Sequence, residues 1–437
     1  MKKRFLSVAA AAFFGLTLQA QKIDFEEYTL DNGLHVILHQ DNSAPVVTTG
    51  VMYHVGAKDE LVGRTGFAHF FEHLLFEGTK NIKRGEWFKI VSSNGGSNNA
   101  NTTNDRTYYY ETFPSNNEQL GLWMESERLK SGDINQIGVD TQREVVKEEK
   151  RLRMDNQPYG NLFTEVQKNL FTKHPYNWST IGSMDDLNAA QLQEFRDFYK
   201  KFYVPNNAVL VVAGDIKKDQ TKKWIKEYYG SIPKGTVTPK NFPKDEPITK
   251  TKEVTAYDKN IQLPAYVFAY RTPGAKEKDA YTLDMISTYL SGGKSSVLYK
   301  KLVDKEKKAL EVAAFNQGLE DYGIFATFAI PMGTTTKEVL EKDIDAEIAK
   351  LQTTLISEED YQKLLNQFEN NFVNSNSSIE GIAHSLAHNY MLMGDTNLIN
   401  KELEIYRSIT RQDLMNAAKK YLNPNQRVEL NYLPEKK

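Results

Sequence analysis

Leu192 to Asp215 reads LQEFRDFYKKFYVPNNAVLVVAGD, and this run decides the fold class. Its first half carries apolar residues at helical spacing, and Pro205-Asn206-Asn207 is a turn signal. Ala208-Val-Leu-Val-Val-Ala213 has the length and β-branched content of a buried strand, closed by Gly214-Asp215. The same order returns about 218 residues later. There Met415 to Tyr421 predicts a helix, Asn423-Pro424-Asn425 a turn and Val428 to Tyr432 a strand. The two halves therefore read as copies of one unit. Between them, Ile232 to Glu253 holds four prolines, several lysines and little apolar content, which is linker composition.

Outward from this repeat, helices and strands interleave. Tyr28 to Leu30 and Leu34 to Leu38 predict two strands about the turn Asp31-Asn32-Gly33. Helical spacing covers Phe67 to Phe76, Phe88 to Ser92, Asn117 to Ser131 and Asp140 to Met154, and Thr102 to Phe113 is β-rich. The expectation is an α+β chain of two similar α/β-sandwich domains, each a mixed or antiparallel sheet covered by helices. Residues 21–231 form the first domain, 232–253 the linker and 254–437 the second.

Composition narrows the chemistry. The 437 residues carry 55 Lys+Arg against 57 Asp+Glu and are 40% hydrophobic, an ordinary globular balance with no excess of positive charge for nucleic acid. Cysteine is absent, which excludes disulfides, thiolate catalysis and Cys-type metal sites. Any metal must be held by His, Asp or Glu. Lys2-Lys3-Arg4, the apolar run Phe5 to Leu18 and the small residue Ala20 predict a secretory signal cleaved after Ala20. The apolar run is shorter than the roughly 20 residues that cross a bilayer. The expected product is exported and soluble, in the periplasm or beyond it, with no membrane segment after cleavage and no nucleic-acid partner.

The sharpest local feature is Gly66-Phe67-Ala68-His69-Phe70-Phe71-Glu72-His73-Leu74. Residues i and i+4 stack on one helix face, so His69 and His73 aim two imidazoles at one point with Glu72 on the same side. Two histidines can instead be buried and hydrogen-bonded in a core helix. A carboxylate between them in an apolar helix shifts the balance, because it is costly to bury without a cation. A catalytic zinc needs a third protein ligand and an open position. Glu77 lies about 12 Å along the axis from His69 at 1.5 Å per residue and is too far. Asp140 to Met154 offers Glu144, Glu148 and Glu149, and spacing alone does not choose among them.

His69-x-x-Glu72-His73 is the inverted zincin motif, and with it the chain resembles the pitrilysin, or M16, family of zinc metallopeptidases. That family includes insulin-degrading enzyme and the mitochondrial processing peptidase. Asp31-Asn32-Gly33-Leu34, Ala68 to Thr79, Gly95-Gly96, Asn99-Ala100-Asn101-Thr102, Arg143-Glu144-Val145-Val146 and His174-Pro175-Tyr176 with Ile181-Gly182 carry the resemblance in order. The resemblance implies a zinc endopeptidase holding one Zn2+ per chain, with Glu72 as general base. The third ligand, some 76 residues beyond the second histidine, falls on Glu149, and a supporting carboxylate two turns earlier falls on Gln142. Asn99 and Ala100 fall on an edge strand that pairs with an extended peptide substrate.

The chain also departs from that pattern. Where the second half of single-chain members supplies an arginine and a tyrosine, this sequence has Val297 and Leu310. This implies the zinc-bearing subunit of a heterodimer, whose homologous M16 partner supplies the missing pair. A non-catalytic scaffold or binding subunit of the same family is the alternative. Gly293-Lys294-Ser295 lacks the first glycine of a phosphate loop, Thr288 standing there, and follows a helical pattern. His384 and His388 share the i, i+4 spacing with no acid between them, and read as helix packing.

Overall fold

The computed structural model describes Lys22 to Glu435 except Thr238, so the signal segment expected over Met1 to Ala20 lies outside the described residues. The first sheet contains β1 (Glu26–Thr29), β2 (His35–Gln40), β3 (Val46–Tyr53), β4 (Ser97–Thr102), β5 (Thr107–Pro114) and β6 (Ala208–Gly214), in the order β1-β2-β6-β3-β5-β4. The second contains β7 (Lys252–Asp258), β8 (Ala265–Pro273), β9 (Ala309–Gly318), β10 (Tyr322–Pro331) and β11 (Arg427–Pro434), in the order β7-β11-β8-β10-β9.

The sequence repeat is a repeat of topology. β6 runs parallel to β2 and antiparallel to β3; β11 runs parallel to β7 and antiparallel to β8. Each is led in by a helix, Leu192–Phe202 or Arg411–Tyr421, and a 3-10 turn that begins on proline. β1 is the one strand of the first sheet without a counterpart in the second.

Each sheet is covered on one face by helices of its own half and on the other by a helix lent from the opposite half. Leu34, Val36, Leu38, Leu210 and Val212 meet Phe67, Phe70, Phe71 and Leu74 of the first half. Side chains alternate across a strand, so Ile37, Val209, Val211 and Ala213 point the other way. They meet Ile382, Ala383, Leu386 and Ala387 of the helix Ile379–His388. Reciprocally, Val166, Leu170 and Phe171, from the helix Leu162–Leu170 and its end, pack on Val267, Ala269, Ile324 and Val428 of the second sheet. This exchange explains why β6 is buried along its whole length. Burying Leu386 stabilises the interface by about 1.5–3 kcal/mol, and an aspartate there would break it.

Among the element boundaries that differ from the sequence reading, two have clear local reasons. The β-rich run is split into β4 and β5 by the turn Thr103 to Arg106. The helix expected from Asp140 begins at Gln136, because the Asn135 side chain accepts from Gly138 N at 2.9 Å and caps it; it ends at Lys150 in a widened turn over Arg151–Asp155.

The described residues between Ile232 and β7 hold no helix or strand, yet they are fastened down. Lys240 Nζ donates to His54 O at 2.7 Å and to Asp59 at 2.9 Å, and the Asp245 carboxylate accepts from Thr172, Lys173 and His174. β7 begins at Lys252, inside the stretch read as linker. Among the described residues no helix is long and apolar enough to cross a membrane.

Candidate metal centre

The helix Phe67–Leu74 is fixed at both ends by buried polar side chains. Gly66 opens it at φ +90°, and a β-carbon there would lie 2.6 Å from the Ile181 carbonyl oxygen, so glycine is required. Glu60 accepts from the backbone N–H groups of Gly66 and Ala68, each at 2.8 Å. Past the other end, Arg128 Nη1 donates to Leu75 O at 2.6 Å. Its guanidinium lies 4.0–4.5 Å from the ring centroids of Phe76, Trp87 and Tyr109 and pairs with Glu111 and Glu125. The Arg128 cation beyond the C-terminal end suits the helix dipole. Neither Glu60 nor Arg128 belongs to a sequence motif. The one signal was a carboxylate shortly ahead of a helix-opening glycine.

On this fixed helix His69 and His73 project together, with ring centroids 4.9 Å apart. Glu149, on the last turn of Gln136–Lys150, approaches them: its Oε2 lies 3.6 Å from His69 Nε2 and 3.2 Å from His73 Nε2. The three donor atoms lie within 4.8 Å of one another, the only such group among the described residues. Burial, with His73 alongside, holds the His69 imidazole down to about 4, so it is neutral at pH 7 with a free lone pair. The His73 contact holds the Glu149 carboxyl below its ordinary range. Glu149 Oε1 is paired with the Arg153 guanidinium at 2.8 Å.

The other carboxylates left open by spacing do not converge. Glu148 points outward to Arg151 and Glu144 to Lys147. Glu77 lies beyond the helix, where it takes hydrogen bonds from Arg84 and Gln142. Gln142 is therefore directed at Glu77 rather than at the cluster.

Glu72 sits beside the cluster. Burial raises its carboxyl above the ordinary range, opposed by Thr102, whose hydroxyl donates to Oε2 at 2.7 Å. Thr102 ends β4, the terminal strand of the first sheet, which pairs on one side with β5 alone. Asn99 and Ala100 lie in the middle of that strand, and Asn99 Oδ1 accepts from Ala100 N. Val297 packs on the second core and Leu310 is half exposed on β9; neither position offers a polar group.

The chain is similar to known proteins over almost its whole length. A family model described as "Insulinase (Peptidase family M16)" matches residues 35–183, and one described as "Peptidase M16 inactive domain" matches 189–368. The Helicobacter pylori zinc protease PqqE is 30% identical over 433 residues, 97% of each chain. The crystal structure of a protease from Helicobacter pylori superposes with a TM-score of 0.87 at 29% identity, covering 94% of this chain and 99% of that one. The periplasmic protease PqqL from Escherichia coli shares the fold at a TM-score of 0.75 and 19% identity, over 95% of this chain and 48% of that one.

Proposed function

Since the chain belongs to peptidase family M16, we propose that it is a zinc-dependent endopeptidase acting on peptides or unfolded protein segments, as the metal-bearing subunit of a heterodimer. The observation that carries this reading is the convergence of His69, His73 and Glu149 beside Glu72. Two imidazoles and one carboxylate, with a position left open, are a donor set that fits one zinc ion per chain. Bound there, zinc supplies Lewis-acid polarisation of water and of the substrate carbonyl.

The chain's own residues supply the rest. Thr102 holds Glu72 Oε2, which leaves Oε1 to take a proton from the attacking water and pass it to the leaving amine. The outer edge of β4 at Asn99 and Ala100 offers backbone groups to an extended peptide, a pairing that reads shape before sequence. The expected compartment is periplasmic or otherwise exported, on the strength of Lys2 to Ala20.

Glu72→Gln tests the reading. The variant should retain zinc and fold while peptide cleavage falls by about 10²–10⁴. Near-parental cleavage by the variant would move the base elsewhere, and no cleavage by the parent, even with its partner, would favour the non-catalytic scaffold role.

A further inference from the structure

His384 and His388 lie on the helix that the second half lends to the first sheet, and what they face is the β4–β5 turn. Arg106, in that turn, is 7% exposed. Its Nη1 donates to the Asn101 carbonyl oxygen at 3.0 Å and to the Asn101 side-chain oxygen; its Nη2 donates to His384 Nε2 at 3.3 Å. Asn101 stands in β4, two residues from Asn99 and next to Thr102. One buried guanidinium thus joins the edge strand to the second half.

The direction of that contact follows from chemistry. A guanidinium only donates, so His384 must accept through Nε2 and carry its proton on Nδ1. Burial, then the Arg106 charge, hold His384 down to about 3 and His388 down to about 4, which keeps both rings neutral. Tyr108 meets the His384 ring edge-on at 5.4 Å, and a cavity of about 420 Å³ lies against both histidines. The same turn is gripped a second time: Glu320 N, in the β9–β10 hairpin, donates to Asp105 Oδ2 at 3.0 Å.

The geometry points to His384 as a positioning residue: by accepting from Arg106 it fixes the guanidinium that clamps Asn101, and so sets the path of the strand along which a peptide pairs. This rests on the reading above that β4 receives the substrate. The second half then governs peptide affinity, while Thr102 keeps its contact with Glu72 and the chemical step is little changed.

The test uses the purified full chain, with its partner subunit where turnover needs one, and one internally quenched dodecapeptide cleaved by the parent. His384→Ala removes a hydrogen bond to a charged donor, and KM should rise about tenfold with kcat within about twofold and zinc content unchanged. Amide exchange over Ser97 to Thr102 should quicken by a similar factor. His384→Gln, whose side-chain oxygen can accept from Arg106, should restore both readings. Arg106→Gln should raise KM and quicken exchange as His384→Ala does, and carries the test on those two readings if His384→Ala fails to fold. Unchanged KM and exchange in His384→Ala, or a glutamine variant no better than alanine, would overturn the proposal. A parent chain with no zinc and no cleavage, but with this exchange pattern across the variants, would sink the peptidase reading and leave the positioning role standing.

Discussion

Thr102 Oγ1 donates to Glu72 Oε2 at 2.7 Å, tying the last residue of the edge strand to the carboxylate between the two histidines. On the proposed function, this one hydroxyl would register a peptide aligned on β4 against the base. Thr102→Val keeps the shape and removes the donor. Loss of a hydrogen bond to a charged group is worth about 1.5–3 kcal/mol, so turnover should fall at least about tenfold. The hydroxyl favours the ionised carboxyl, so without it the carboxyl rises further and the acid limb of the pH–rate profile moves to higher pH. Thr102→Ser should behave as the parent in both respects.

Glu148 and Glu149 are neighbours in sequence and opposites in setting. Glu149 approaches both imidazoles, while Glu148 is turned out to Arg151. Glu149→Gln should lower zinc content sharply, as should His73→Ala, and Glu148→Gln should leave it near one ion per chain. Elemental analysis of the three purified variants settles the assignment, and an effect confined to Glu148 would reverse it.

The metal-site helix depends on its buried clamps. Burial pushes the Glu60 carboxyl well above its ordinary range, yet it is the acceptor for both Gly66 N and Ala68 N. Glu60→Ala leaves those donors unsatisfied in the interior, at about 1–3 kcal/mol each. The melting temperature should drop, and zinc should be released at lower chelator concentration. A variant with parental stability and zinc affinity would show that the helix is held in place by its apolar face alone.

Much of this was legible beforehand. The Pro-Asn turns at 205 and 424 mark equivalent strands because each must end one helix and start one buried strand, and local chemistry suffices for both. The grouping of His69, Glu72 and His73 was legible because helical geometry puts them on one face within a few residues. Glu60, Arg128 and the exchanged helices were not legible, because their partners are distant in sequence or set by topology. Gln142 shows the limit from the other side: its position pointed to the metal ligands, and its amide goes to Glu77.

The two halves are latched by Lys58, which is 1% exposed and touches Asp105, Glu320 and Asp321 at 2.6–2.9 Å. Burial works against an ionised Glu320, but the His54 contact and the Lys58 ammonium pull it down to about 2 from an ordinary 4.5. The folded state therefore binds fewer protons than the unfolded one between these values. Its stabilising contribution is complete above pH 4.5 and is lost as pH falls through about 2. Urea titrations at pH 5, 4 and 3 should show the parent losing stability more steeply than Glu320→Gln. Parallel curves would place the acid sensitivity elsewhere.

On the heterodimer reading, activity is constrained by what the second half lacks. A developing oxyanion needs donors beyond a metal, and loss of one such donor typically costs about 10²–10³ in rate. Val297 and Leu310 can donate nothing. On the segment that carries Glu149, Val145 and Leu152 are exposed seven residues apart, among the charged Glu144, Glu148 and Arg151. Such a face suits closure against a second, homologous subunit that brings an arginine and a tyrosine over β4. The isolated chain should therefore bind zinc normally and cleave peptides at about a hundredth of the rate of the mixed subunits or less. Cleavage by the chain, by the partner and by the mixture, measured on one quenched peptide at matched zinc content, gives the comparison. Val145→Glu should leave zinc content intact and weaken assembly, seen as a higher partner concentration at half-maximal activity. Full activity from the chain alone, unchanged by the partner, would mean that residues already in this sequence stabilise the oxyanion.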